Sequence, residues 1–319
     1  MSPIHIEPLN SDLPFGSRIS GVTWDNVEDQ MLRTQIREVF ESRGLIVFEA
    51  VEPTDKMQLA ISSIFGPLKD HPVKSVRRVD NDAMPGVIQI GTSVVEAGIV
   101  EVDGRTLSNW LPWHFDHCYN DELNRAGVLR ALHIAPEGGL TGFVDGIQAY
   151  NAMSPALLEK IEGLNIVHTL DLAYARARFG MPKGFREIRT PPGLEATVAI
   201  AKTLPRAIHP AVWTRASGEK VLHISPWGAV GIEGREDAEG DALYAAVCEE
   251  LLAKMQPYFH RWSPTDMLVW DNWRMMHAVD GNDPKHLRIM HRTTIKGDYG
   301  LGYFENGSTV RHAALEMAV

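Results

Sequence analysis

Hydrophobic and polar positions along this chain change period several times. Residues Ile4-His5-Ile6-Glu7-Pro8-Leu9 alternate with period two and predict a short strand. Between 27 and 43, Met31, Leu32, Ile36, Val39 and Phe40 recur at helical spacing, with Gly44 as the stop. The unbroken apolar run Leu45-Ile46-Val47-Phe48 predicts a buried strand. Thr54 suits the N-cap of a helix running to about Phe65 and closed by Gly66-Pro67. Further strands are predicted at 87–90, 128–134, 141–144, 164–169, 207–214, 219–224, 266–270 and 286–296, with Ser217-Gly218 as a hairpin turn. Ser154-Pro155 opens one helix, and a long one covers about 236–256. The stretches 69–110 and 176–206 carry Pro, Gly and scattered charge with little periodicity, which predicts functional lids. Many short strands, few helices and no βαβ alternation or GxGxxG favour a mostly β jelly-roll decorated by helices.

Composition narrows the function. At 319 residues the chain is read as a single domain with ample core, and 44% hydrophobic with 23% charged residues is ordinary for a globular protein. A formal charge of −10 argues against nucleic acid or an anionic membrane surface as partner. Two cysteines, Cys118 and Cys248, make neither a disulfide framework nor a CxxC metal site. No signal-like start and no bilayer-length apolar run are seen, so the expected setting is the cytoplasm.

The chemistry gathers in two segments. In Trp113-His114-Phe115-Asp116-His117, read as extended, residues i and i+2 face the same side, so His114 and Asp116 can converge on one ion. An exposed polar pair would look the same. The segment Trp270-Asp271-Asn272-Trp273-Arg274-Met275-Met276-His277 adds His277 as a third ligand, which would complete a facial triad with open positions. Arg288 follows in Arg288-Ile289-Met290-His291-Arg292. A buried guanidinium near a metal reads as an anchor for an organic acid, the plain alternative being a structural salt bridge.

With these residues in view, the sequence resembles the taurine dioxygenase/TfdA family of 2-oxoglutarate-dependent oxygenases over roughly residues 4 to 298. Its other landmarks are Phe65-Gly66 with His71-Pro72, Gly138-Gly139-Leu140-Thr141, Gly146-Ile147-Gln148-Ala149-Tyr150 and Arg261-Trp262. The resemblance implies a double-stranded β-helix, a jelly-roll variant. It implies His114, Asp116 and His277 as Fe(II) ligands, and Arg288 with Thr141 as partners of the distal carboxylate of 2-oxoglutarate. The family usually has an acidic residue where this chain has Leu140. Arg292 occupies the position that grips the substrate anion in members acting on sulfonates or carboxylates, with pairing to Asp298 as the alternative. His71, Tyr174 and Trp227 are the other candidates for the substrate cavity.

The chemistry so implied is oxidation of a small organic anion, most simply hydroxylation, with Fe(II), 2-oxoglutarate and O2 and release of succinate and CO2. Desaturation, cyclisation or oxidative cleavage would use the same machinery. Halogenases of this kind carry a small residue in place of the carboxylate, and Asp116 is intact. A zinc hydrolase on the same ligands would leave Arg288 and Thr141 without a role, and a non-catalytic binding protein would need none of the five residues. Family members are often dimers or tetramers, which leaves a homo-oligomer open. His117 is expected to point away from the metal, Cys118 to be a small buried residue, and His133, His223 and His291 to be satisfied core or rim histidines.

Overall fold

Three neighbouring strands set the layering. In Leu45–Glu49, Leu45 and Val47 face one way, Ile46 and Phe48 the other, and all four are buried. Ala126–His133 and Met267–Asp271 divide in the same way. Ala126, Val128, Met267 and Val269 enter one core; Leu129, Ala131, Leu268 and Trp270 enter another. A strand buried on both faces is apolar throughout, which makes such runs legible in sequence. The computed structural model describes residues 4–70, 77–80, 83–91, 93–171, 173–297 and 299–307. It puts these strands in an eight-stranded sheet ordered His5–Pro8, Ser17–Ser20, Leu45–Glu49, Met267–Asp271, Ala126–His133, Ile289–Ile295, Met84–Ile90, Arg78–Asp80.

One face of this sheet is covered by two helices. Asp29 caps Gln30–Arg43 by accepting from the Leu32 N–H, and Gly44 ends it in the left-handed region at φ 72. Thr54 caps Asp55–Ser62, accepting from the Met57 N–H as expected. Leu32, Ile36, Phe40, Met57 and Ile61 close that core, whereas Met31 lies off the stripe and is 80% exposed.

The other face meets a six-stranded sheet ordered Arg186–Arg189, Ile99–Val102, Arg105–His114, Met275–Asn282, Thr141–Asp145, Tyr258–His260. Phe143 and Met275 of this sheet pack with Leu129, Trp270 and Met290 of the first. Their chain neighbours Val144 and Met276 turn outward. There they join a third core with the helix Ala238–Lys254 and the smaller sheet Ala229–Ile232, Asn165–His168, Ala207–Pro210, Tyr303–Phe304. The protein is mostly β with helices on its flanks. Among the described residues no helix is long and apolar enough to cross a membrane.

Each of the two predicted lids contains some regular structure between its irregular stretches. Arg78–Asp80 and Met84–Ile90 extend the first sheet; Ile99–Val102, the start of Arg105–His114, and Arg186–Arg189 extend the second. Leu194–Ala201 is a helix. Strands near a sheet margin tolerate Pro, Gly and charge because one side meets solvent, so they imitate loops in sequence. The helix Gly146–Ala152 and the strands Ala229–Ile232, Tyr258–His260, Met275–Asn282 and Tyr303–Phe304 were not predicted either. The hairpin at Ser217-Gly218 does form, joining Val212–Thr214 to Lys220–Leu222.

A buried ion pair ties the layers. Arg274 Nε and Nη2 donate to Asp145 Oδ1 and Oδ2 at 2.8 and 2.7 Å, and Arg274 Nη1 donates to the Ser42 carbonyl at 3.0 Å. Asp145 also caps the helix Gly146–Ala152. Removing one partner strands a buried charge. Arg274→Ala should therefore cost about 3–5 kcal/mol, read as a lower urea midpoint at unchanged slope; a midpoint within error of wild type would refute this.

His168, His209 and His223 form a second buried polar group, with His209 centroids 5.7 Å from His168 and 6.2 Å from His223. Burial pushes all three pKa values down, to about 3 for His168 and about 4 for His209, with mutual repulsion adding for His168 and His223. A depressed folded pKa means that the unfolded chain binds more protons below its own value of about 6.5. Stability should therefore be unaffected by these groups above about pH 6.5 and fall as pH drops toward 4. Each contributes a slope approaching about 1.4 kcal/mol per pH unit. Urea unfolding from pH 7 to 4.5 checks this: His168→Leu should flatten the profile, and an equally steep one would refute the assignment.

Candidate active site

The strand Arg105–His114 ends at His114, and the chain then turns, with His117 in the left-handed region at φ 60. Asp116 thus reaches the site from a turn, not from the extended stretch that the sequence predicts. Asn272 holds that turn. Its Oδ1 accepts from the Asp116 N–H and its Nδ2 donates to the Asp116 carbonyl, each at 3.0 Å. Ser225 Oγ accepts from the Phe115 N–H at 3.1 Å.

His277 comes from Met275–Asn282, where it is the direct cross-strand partner of His114 on one side and Phe143 on the other. Sharing parity with Met275, it faces the space between the sheets. One ligand atom from each of His114, Asp116 and His277 lies within 4.8 Å of the others, and all three residues are buried. This is the His-Asp-His set that the sequence predicts. The His114 Nδ1 is 2.7 Å from the Pro112 carbonyl, which can only accept, so Nδ1 carries the proton and Nε2 is left as ligand. The His277 ring sits among Trp270 at 5.0 Å and Phe143 at 6.2 Å.

The electrostatics suit a divalent cation. Burial raises the Asp116 pKa, but Arg292, then His277 and His114, outweigh it and hold the carboxyl well below its usual range. Burial, with the neighbouring imidazole, pushes His277 down to about 3, and burial likewise lowers His114. The site thus presents one carboxylate and two neutral imidazoles, the forms that bind metal.

Arg288 and Thr141 also meet, as expected. Arg288 Nη2 donates to Thr141 Oγ1 at 3.1 Å and Nε donates to the Gly139 carbonyl at 2.8 Å. Gly139 has φ 68, and a Cβ there would lie 3.0 Å from Arg288 Cδ, so both its conformation and its lack of a side chain are used. Burial pushes Arg288 down to about 10, and among the described residues no carboxylate forms an ion pair with it. Sequence reasoning gave Trp262 no role, yet its Nε1 donates to Thr141 Oγ1 at 3.1 Å. With Arg288 and Trp262 both donating to it, the threonine oxygen has its own O–H left to give. Leu140, at the family's acidic position, gives its N–H to Asp280 Oδ1 at 2.6 Å.

Arg292 lies on the same strand face as Met290, between the sheets. Its Nη1 donates to Asp116 Oδ1 at 3.1 Å, and Nη2 is 2.6 Å from Oδ2. The expected alternative partner Asp298, like His71, lies outside the described residues. Trp227 stands edge-on to His114 at 5.2 Å and Tyr174 is 5.8 Å from Trp227. Tyr174 gives its hydroxyl proton to the Trp110 carbonyl at 2.9 Å, so it offers a ring rather than a donor. Trp110 and Phe185 complete this aromatic group at 5.6 Å each from Tyr174, and the sequence analysis had not included them. Cys118 is buried in the outer core, His133 is exposed at a strand end, and His291 is paired with Asp55 at 2.6 Å. His223 differs from expectation: among the described residues neither ring nitrogen has a hydrogen-bond partner.

Comparison with known proteins agrees with this geometry. The profile of the family described as "Taurine catabolism dioxygenase TauD, TfdA family" matches residues 5–294. An alpha-ketoglutarate-dependent 2,4-dichlorophenoxyacetate dioxygenase of Cupriavidus pinatubonensis is 27% identical, over 88% of this chain and 94% of its own. An (S)-phenoxypropionate/alpha-ketoglutarate-dioxygenase of Sphingobium herbicidovorans is 28% identical, over 93% and 97%. A solved structure from Burkholderia xenovorans, described as a putative alpha-ketoglutarate-dependent taurine dioxygenase, superposes with a TM-score of 0.71 at 22% identity, covering 98% and 99%, and speaks for the fold. The chain belongs to the TauD/TfdA family and is an Fe(II)- and 2-oxoglutarate-dependent dioxygenase.

Proposed function

We propose that this enzyme hydroxylates a small organic anion, on a double-stranded β-helix formed by the two facing sheets, with residues 1–319 belonging to one catalytic domain. His114, Asp116 and His277 are the iron ligands in this reading. Iron with 2-oxoglutarate and O2 supplies oxidative decarboxylation to succinate and CO2 and the oxidation of a C–H bond.

The observation that carries the reading is the buried guanidinium of Arg288 beside the Thr141 hydroxyl, which among the described residues forms no salt bridge and feels the Asp280 charge without ion-pair contact. A buried cation held by a carbonyl and a hydroxyl has the electrostatics of an anion seat. Register supports its use for the far carboxylate of 2-oxoglutarate. Thr141 faces Val279 while Phe143 faces His277, a two-residue step of about 7 Å along the strand. That step separates the carboxylate seat from the metal by roughly the length of a five-carbon diacid. Trp262 and Gly139 orient the hydroxyl and the guanidinium, so little entropy remains to be lost on binding.

Arg292 is the anchor for the substrate anion. It pairs with Asp116; a cation held by the three ligands would take over that neutralisation and leave the guanidinium fork for an incoming anion. Tyr174 and Trp227, with Trp110 and Phe185, provide an aromatic wall beside His114 for an apolar or aromatic body. His71 stays a candidate for the same cavity. A cytoplasmic setting is part of the reading, supported by two free, buried cysteines.

Anaerobic titration of Fe(II) with 2-oxoglutarate tests the centre. The visible charge-transfer band of the chelate should develop in wild type and not in His114→Ala; folded, iron-loaded wild type without the band would overturn the assignment. The two arginines should then separate. Arg288→Gln loses a charged partner worth about 2–3 kcal/mol or more, so its apparent affinity for 2-oxoglutarate should fall at least about 30-fold. Arg292→Gln should keep the band and 2-oxoglutarate affinity but lose oxidation of anionic substrates; reversed behaviour of the pair would exchange their roles.

A further inference from the structure

Behind the metal turn lies a second set of polar and aromatic side chains that the proposed reaction does not use. His209 is fully buried, and its Nε2 lies 2.7 Å from the Asn120 carbonyl and 3.0 Å from that of Cys118. Carbonyls only accept, so Nε2 holds the proton and Nδ1 is an acceptor. Tyr299 gives its hydroxyl proton to that Nδ1 at 2.5 Å. The Tyr299 ring is 5.9 Å from Trp273 and 5.9 Å from Trp213, and the two indoles are 6.3 Å apart. All three of these aromatic residues are partly exposed.

The same group touches the metal turn at several points. Cys118 and Asn120, whose carbonyls hold His209, follow Asp116 in the chain. Phe115, between the ligands His114 and Asp116, packs on His223 at 4.0 Å, and His223 is 6.2 Å from Tyr299. Asn272, which clamps Asp116 through two hydrogen bonds, is the chain neighbour of Trp273.

We propose that Tyr299 and His209 form a redox-active pair that draws oxidising equivalents away from the iron site toward Trp273 and Trp213. The occasion is turnover without substrate, when the oxidant made from O2 and 2-oxoglutarate has no C–H bond to attack. This rests on the iron site proposed above. Each of the two oxidising equivalents is met by one electron leaving the Tyr299 phenol for the iron centre, where solvent supplies the proton taken up, while the phenol proton moves to His209 Nδ1. The imidazolium formed is stabilised by the two carbonyls at Nε2. Trp273 or Trp213 returns an electron to the tyrosyl radical, the proton goes back from His209 to the phenol, and an external one-electron donor of the ascorbate class refills the indole. Burial pushes the phenol well above its usual pKa, so ionisation in advance is closed and a built-in proton acceptor is needed. The device would spare side chains beside the metal, such as Trp227.

Two measurements on the full-length protein test the pair. In the first, iron-loaded enzyme with 2-oxoglutarate and O2 but no substrate is frozen during turnover and examined by electron paramagnetic resonance. A tyrosyl radical should form in wild type and be absent from Tyr299→Phe. That variant should also inactivate several-fold sooner, with oxidised residues found by peptide mass spectrometry moving from Trp213 and Trp273 toward the metal. In the second, metal-free protein is oxidised by a photo-generated one-electron oxidant, and transient absorption should record the radical in wild type and in Trp213→Phe but not in Tyr299→Phe. Equal radical yields with and without Tyr299 in either arm would overturn the proposal. So would wild-type iron enzyme that consumes 2-oxoglutarate without forming a radical. Failure to form succinate at all would instead remove the proposed function, while the metal-free arm still decides whether the pair is redox-active.

Discussion

The register between Arg105–His114 and Met275–Asn282 is the constraint on which the rest of the site depends. His277 lies directly opposite His114, and a slip of one residue in either strand would turn one imidazole out toward the helices. The register is held from both sides. Met275 and Phe143 belong to the core between the sheets, while Met276 and Val144 fit the outer core. Exchanging them would bury the wrong surface on two layers at once. The metal ligands are thus aligned by hydrophobic packing that has no chemical part in the reaction.

Buried charge is arranged around that register in three different ways. Arg274 and Asp145 satisfy each other fully and act as a structural tie. Arg292 and Asp116 are paired, yet Asp116 is also one of the three candidate metal ligands, so this pair would be open to exchange with a cation. Arg288 has a carbonyl and a hydroxyl but no carboxylate partner among the described residues. The gradient from a complete to an incomplete ion pair parallels the roles proposed for these arginines. A cation left short of an anion in a low-dielectric interior is costly unless a ligand completes it.

The aromatic residues divide similarly. Trp270 and Phe143 pack the ligand His277 and fill the gap between the sheets. Trp227, which stands beside His114, and Tyr174 and Phe185 lie on segments between the regular strands, and Trp110, which joins them, comes from the strand that carries His114. Rigid ligands and a wall built from connecting segments are the usual division of labour between scaffold and specificity.

Local sequence by itself determined the buried strands, the cap at Thr54, the stop at Gly44 and the Ser217-Gly218 hairpin, each a short-range signal such as an apolar run or a capping side chain. The resemblance to a family, rather than any local signal, singled out the His114, Asp116 and His277 set together with Arg288 and Thr141 as candidates. Sequence did not reveal Met275–Asn282 as a strand, because His277, Asp280, Gly281 and Asn282 break its apolar run and look like turn. Nor did it reveal that 69–110 and 176–206 carry sheet margins, since solvent on one side relaxes the demand for apolar residues. Only the tertiary structure decided that Asp116 arrives from a turn clamped by Asn272, that Arg292 meets it, and that Trp262 serves Thr141. Those contacts join residues more than a hundred positions apart, and their geometry is set by the packing of two sheets rather than by anything local to either partner.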